Sequence, residues 1–252
     1  MSAPVDANPF QLGDPRGGLA PAVLCLHGLT GTPYEVRPPA DALARAGFYC
    51  EGPLLPGHGT SVRELTRLPH AAWTASVLAA YDALAERHER VYVLGLSLGG
   101  LLALALAQER PARGVVALAV PLELAWVVRR AVPWLHRVVP LLPKTPAIRD
   151  LAARQRHPGY DQMPLGAVNE LLALARSVRA RLGQVSAPVQ LVFSRLDPTV
   201  PPRNAELLLS ELGPGDRELV WLERSGHVLP VDFDQALIAD KAVSFLRRLE
   251  KG

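Results

Sequence analysis

Cysteine is scarce, with only Cys25 and Cys50 in 252 residues. A disulfide-stapled secreted scaffold is thereby excluded, and without metal-ligand spacing around either residue no metal or other cofactor is expected. Both lie in apolar segments that read as strands, where a free thiol behaves as a small buried hydrophobe. No stretch reaches the roughly 18 uninterrupted apolar residues of a membrane span. The opening MSAPVDANPFQLGDPRGG has neither the basic start nor the apolar run of a secretory signal. Lysine is nearly missing too, with Lys144, Lys241 and Lys251 the only three among 27 basic residues. The arginines are scattered and the net charge is only +3, so no basic run offers itself to nucleic acid. A soluble, cytoplasmic protein that binds no nucleic acid is the expectation.

What is present is apolar material, 49% of the chain, enough to bury a large core as one α/β domain or as a domain carrying one sizeable insertion. Short apolar runs alternate with helical segments, the pattern of a mostly parallel sheet covered on both faces. Strands are predicted near Pro9 to Leu12, Ala22 to Leu26, Phe48 to Glu51, Val91 to Leu94, Val115 to Ala119, Val189 to Phe193 and Glu218 to Leu222. Helical periodicity marks Tyr34 to Arg45, Ala71 to Arg87, Leu98 to Glu109, Pro202 to Leu212 and Gln235 to Arg248. Pro121 to Ala187 is too long for one crossover and reads as an insertion. Its apolar residues, Trp126 and Trp134 among them, are interrupted by Arg129, Arg130 and Arg137. Short amphipathic helices broken at Pro133, Pro140 and Pro143 are expected there.

In an open parallel sheet, reactive groups gather beyond the carboxyl ends of the strands. The segments just past those ends are HGLTGTP, LPGHGT, GLSLGG, SRLDPTVPP and ERSGHVLP. GLSLGG fits the G-x-S-x-G elbow, in which a strained strand-to-helix turn exposes a serine, Ser97. Its plainer reading is a serine that caps the following helix. Serine is a weak nucleophile until a base takes its proton and a third group orients that base. Asp197 and His227 follow in the order Ser, Asp, His, each just past a strand end. Their plainer readings are a turn aspartate before Pro198 and an exposed loop histidine. His27 and His58 precede Ser97 and are read as organising their glycine turns. His70, His88, His136 and His157 are most simply surface residues, and Glu123 is the weaker rival for the acid. An oxyanion needs backbone donors, for which the elbow offers the N–H of Leu98 and the HGLTG loop that of Leu29.

Taken together, HGLTGTP, LPGHGT, GLSLGG, SRLDPTVPP and SGHV resemble the bacterial carboxylesterase and monoacylglycerol lipase branch of the α/β-hydrolase superfamily, over nearly the whole chain. The resemblance implies an α/β-hydrolase fold of about seven strands, its core formed by residues 1–120 and 188–252. Residues 121–187 would be a helical cap leading into a core helix. It also implies hydrolysis of a small carboxylic ester by Ser97, Asp197 and His227, with Leu29 and Leu98 as oxyanion donors. Asp161, in YDQMP, matches the cap position that helps such lipases recognise the glycerol end. An apolar cap containing Trp126 and Trp134 would hold a medium acyl chain or an aromatic acid. It could instead be a lid that touches no ligand, or dock transiently at a lipid interface without inserting stably. A thioesterase or acyltransferase would use the same triad, and a catalytically silent receptor would use the fold alone.

Overall fold

Apolar strands buried on both faces must pair every backbone N–H and C=O within the protein. In the computed structural model, which describes residues 5–14 and 20–251, the strands pair side by side in one seven-stranded sheet. Of the opening MSAPVDANPFQLGDPRGG, on which the expectation of no secretory signal rests, residues 1–4 and 15–18 lie outside the described residues. The chain runs through β1 (Phe10–Leu12), β2 (Ala22–Leu26), α1 (Arg37–Arg45), β3 (Tyr49–Gly52), α2 (Val62–Arg67) and α3 (His70–Ala85). It continues through β4 (Val91–Leu96), α4 (Leu98–Ala107), β5 (Val115–Leu118), α5 (Trp126–Leu135), β6 (Leu141–Pro143) and α6 (Leu151–Arg156). The remaining elements are β7 (Gln162–Pro164), α7 (Leu165–Ala180), β8 (Val189–Ser194), α8 (Arg203–Glu211), β9 (Arg217–Leu222) and α9 (Gln235–Lys251). All seven sheet strands fall where the apolar runs predict them.

The sheet order is β1-β3-β2-β4-β5-β8-β9. Only β1 is antiparallel to its neighbour, and β4 lies at the centre between β2 and β5. Helices α3, α4, α7 and α8 bury their apolar sides on one face, while α1 and α9 cover the other. Leu26 pairs with Gly95, so the loop after β2 emerges beside the end of β4. The parallel register thus brings the loops after β2, β4, β8 and β9 to one edge.

The β4–α4 turn requires its glycines. A Cβ at Gly95 would collide with the backbone of Gly99, and one at Gly99 with the carbonyl of Leu26 and, at 2.8 Å, that of His27. Backbone atoms of a buried strand cannot step aside as a flexible side chain can. Gly99→Ala should therefore cost about 3 kcal/mol, the upper end for overpacking. Urea unfolding reads this directly, and an unchanged midpoint would refute the close approach.

Within the insertion, α5 runs through Pro133, which stands near its C-terminal end, and the chain then turns after His136. Pro133 lacks the N–H that would bond the preceding turn and crowds the carbonyl of Arg129, yet the helix continues through Leu135, so the break that the sequence pattern predicts at this proline does not occur. Pro140 precedes and Pro143 ends β6, which pairs antiparallel with β7 across the α6 segment in a two-stranded sheet that the apolar pattern did not predict. Helix α7 packs its buried residues into the same core as α3 and α4.

Candidate active site

Ser97 sits between β4 and α4 with φ 55°, the left-handed region that a non-glycine residue enters only at a cost. Its side chain makes no capping bond to α4. Instead its Oγ lies 2.9 Å from Nε2 of His227, whose Nδ1 is 2.7 Å from Oδ2 of Asp197. The other carboxylate oxygen of Asp197 accepts the N–H groups of Thr199 at 2.7 Å and Val200 at 3.0 Å. An ionised carboxylate only accepts, so Nδ1 carries the imidazole proton and Nε2 is left to accept from the serine. Burial pushes the Asp197 carboxyl up, but the charge and hydrogen bond of His227 and the two backbone donors outweigh it and hold the group below its ordinary range.

Two loops beside these residues are held by buried polar groups. The His227 loop is anchored by Asp232, whose Oδ2 accepts from Gly226 N–H at 2.7 Å, and by a 2.7 Å bond from His227 N–H to the carbonyl of Ala147 in the insertion. Asp232 also accepts the N–H groups of Arg149 and Asp150 at 2.8 and 2.9 Å, so one carboxylate ties the insertion to the histidine loop. The loop after β2 is held by the histidine pair. His27 Nε2 accepts from Leu55 N–H at 3.0 Å, and His58 Nε2 accepts from Thr30 N–H at 3.1 Å. Burial lowers both imidazoles, His58 to about 3, and keeps them neutral acceptors.

Leu29 lines the cavity beside Ser97. The N–H groups on either side of it are committed, Gly28 to Glu35 at 2.8 Å and Thr30 to His58. Leu98 opens α4, where an N–H has no partner within the helix. The cavity, about 540 Å³, is walled by apolar side chains of α5 and α7, including Val128, Val132, Leu135, Val168 and Leu171. Glu35, Lys144, Ser97 and His227 supply its ionisable or reactive groups.

The other candidate residues lie elsewhere. Trp126 and Trp134 are 65% and 71% exposed on the opposite side of α5, beneath the guanidiniums of Arg130 and Arg137. Helical spacing explains this, because positions 128, 132 and 135 take the cavity side. Asp161 is exposed, and its carbonyl accepts from Lys144 N–H at 2.8 Å. Glu123 is bound by Arg179 and Arg203, away from His227. Two of the histidines predicted to lie on the surface are buried. His88 bonds the carbonyl of Ala20 at 2.9 Å, and His157 lies 2.8 Å from Glu35.

Glu35 is the functional-site carboxylate that sequence reasoning missed. Burial raises it, yet the hydrogen bond and charge of His157, with His27 and Lys144 behind, bring it down to about 2. A carboxyl depressed in the folded state stabilises above its unfolded value, near 4.5, and that contribution disappears as pH falls toward 2. Asp197 acts in the same direction. The urea midpoint should therefore drop between about pH 4.5 and 2, and Glu35→Gln should flatten that slope. An identical slope in the variant would contradict the shift.

Residues 19–234 match the family described as serine aminopeptidase, S33. The chain is 32% identical over 233 residues to a thermostable monoacylglycerol lipase of Bacillus sp. (strain H-257), covering 90% of each chain. It is 27% identical over 233 residues to a carboxylesterase of Bacillus subtilis (strain 168), covering 91% of this chain and 93% of the other. A solved structure from work on the metagenome-derived lipolytic enzymes LipS and LipT superposes with a TM-score of 0.89 at 30% identity, over 98% of this chain and 100% of that one. The chain belongs to the serine aminopeptidase S33 family and has the α/β-hydrolase fold.

Proposed function

We propose that the protein is a serine hydrolase of carboxylic esters, acting through an acyl-enzyme on Ser97. The observation that carries this is the Ser97–His227–Asp197 chain of bonds opening onto an apolar cavity of about 540 Å³. His227, held by Asp197, takes the Ser97 proton as Oγ attacks the ester carbonyl. The N–H groups of Leu29 and Leu98 receive the oxyanion, and His227 returns the proton to the departing alcohol. Water then releases the acid by the same route. Esters fit this cavity better than peptides do. Among the described residues Glu35 is its only lining carboxylate, and both of its oxygens are occupied, so no acidic group stands free for a substrate amine.

The apolar wall of α5 and α7 suits an acyl chain of medium length. Each methylene buried there contributes about 0.8 kcal/mol, or roughly fourfold in kcat/KM. A panel of p-nitrophenyl esters beside monoacylglycerols, with and without a serine-reactive phosphonate, tests reaction and substrate together. Rates should climb with chain length until the cavity is full. A flat profile, or hydrolysis untouched by the phosphonate, would overturn the proposal. A cytoplasmic location is part of the proposal, supported by two buried unpaired thiols of the kind that persist where thiols stay reduced.

The outer side of the cap has a second feature. Leu124 to Arg149 contains no acidic residue, and Arg130 and Arg137 lie over the exposed Trp126 and Trp134, with Val138 also exposed. This face suits transient contact with an anionic lipid surface, to which each arginine contributes about 1 kcal/mol. Co-sedimentation should favour phosphatidylglycerol over phosphatidylcholine vesicles and weaken with salt. Replacing Trp126 and Trp134 by alanine should reduce it by about tenfold. Binding indifferent to both lipid charge and the tryptophans would rule this contact out.

A further inference from the structure

Against the loop after β2, at the wall of the cavity, lies a group of ionisable side chains that ester cleavage does not consume. Glu35, from the short helical turn Pro33–Val36, is 2% exposed. One carboxylate oxygen accepts from Gly28 N–H at 2.8 Å, and the other faces His157 Nε2 at 2.8 Å. His157 comes from the insertion, just past α6, and its side chain is wholly buried. Its Nδ1 accepts from Gly159 N–H at 3.2 Å, so the ring proton is on Nε2 and is donated to Glu35. The insertion grips the same loop twice more. Tyr160 N–H donates to the Thr30 carbonyl at 2.9 Å, and the Lys144 ammonium donates to the Thr30 hydroxyl. Thr30 itself is held at φ 65°. The Glu35 carboxylate lies so close to the loop that a Cβ at Gly31 would land on it.

A buried carboxylate is a costly way to fill space. What this one supplies is geometry. It fixes the N–H one residue before Leu29, while His58 fixes the N–H one residue after. Leu29 is thereby left with little freedom of rotation. We infer that Glu35 is a positioning residue whose carboxylate, held by His157 of the insertion, aims the Leu29 N–H at the oxyanion, so that seating of the insertion and alignment of the oxyanion hole are one event. The inference rests on the ester-hydrolase reading for its kinetic consequence, though not for its structural one.

A donor displaced by about 1 Å costs up to 10²-fold in rate, and that loss belongs to the transition state rather than to substrate binding. In the full-length protein, Glu35→Ala should lower kcat by about 100-fold with KM within about twofold. Glu35→Gln keeps an acceptor for Gly28 and should fall between, at about tenfold, and it serves if the alanine variant does not fold. Because the two residues act through each other, Glu35→Ala/His157→Ala should be no slower than Glu35→Ala alone. Affinity for a boronate mimic of the tetrahedral intermediate should drop in step with kcat, while inhibition by the product acid stays constant. A merely structural residue would weaken both alike. Glu35 variants with kcat within twofold of wild type, or purely additive losses in the double variant, would overturn the inference while the ester reading stood. Should the wild type cleave no ester, the reading itself fails. Amide hydrogen exchange across residues 27–36 and 144–161 then decides the structural claim. Both segments should exchange faster together in Glu35→Ala and in His157→Ala, and independent behaviour would refute the coupling.

Discussion

Ser97→Ala is expected to lower kcat for a p-nitrophenyl ester by about 10⁵-fold while leaving KM nearly unchanged. The substitution deletes one oxygen and disturbs little else. The left-handed turn at residue 97 is imposed by the β4–α4 junction, where Gly95 and Gly99 admit the close backbone approach, and not by the serine hydroxyl. The cavity and the N–H groups of Leu29 and Leu98 would remain, so residual catalysis of about 10³ over water should persist. His227→Ala should cost a similar factor, and the double variant should be no slower than either single one, because the two side chains perform one proton transfer. Mass spectrometry after phosphonate treatment gives an independent reading. The wild type should gain one adduct on Ser97, and Ser97→Ala none. A Ser97→Ala protein that retained a tenth of the rate would remove Ser97 from the mechanism.

The parts of this site that could be read from the chain share one property, that each is locally signalled. Strand ends announce themselves by apolar runs that stop, and parallel topology then collects whatever follows them at one edge. The placing of Ser97, Asp197 and His227 at strand ends was legible for that reason, although 130 positions separate the serine from the histidine it bonds. The Glu35–His157 bond spans 122 positions and carries no such signal. Glu35 stands in a short turn where an exposed acid would be ordinary, and His157 follows an arginine-rich helix that resembles a solvated surface. Only the fold of the insertion reveals that both are buried. The same limit applied to the strand pair β6 and β7, whose three-residue strands LLP and QMP are too short and too rich in proline to show a period of two. For the tryptophans of α5 it was orientation that local pattern left open. An amphipathic helix has two sides, and which one meets the cavity is decided by how α5 packs against α7.

Asp197→Asn should be the next most damaging change, at about 10⁴-fold in kcat, and it isolates orientation from charge. An asparagine at 197 could keep its carbonyl oxygen on the N–H groups of Thr199 and Val200, so the loop after β8 would hold its shape. Its amide N–H₂ would then face Nδ1 of His227 in place of a carboxylate oxygen. The imidazole must accept there, which moves its proton to Nε2, and the ring then offers Ser97 a donor where an acceptor is needed. Folding stability at neutral pH should change far less than the rate does. Glu123→Gln supplies the contrast, because Glu123 is engaged by Arg179 and Arg203 and stands clear of His227, and its ester hydrolysis should stay within twofold of wild type. If Asp197→Asn lost less than tenfold, or if Glu123→Gln lost as much, the imidazole would have to be oriented by some group other than the one 2.7 Å from its Nδ1.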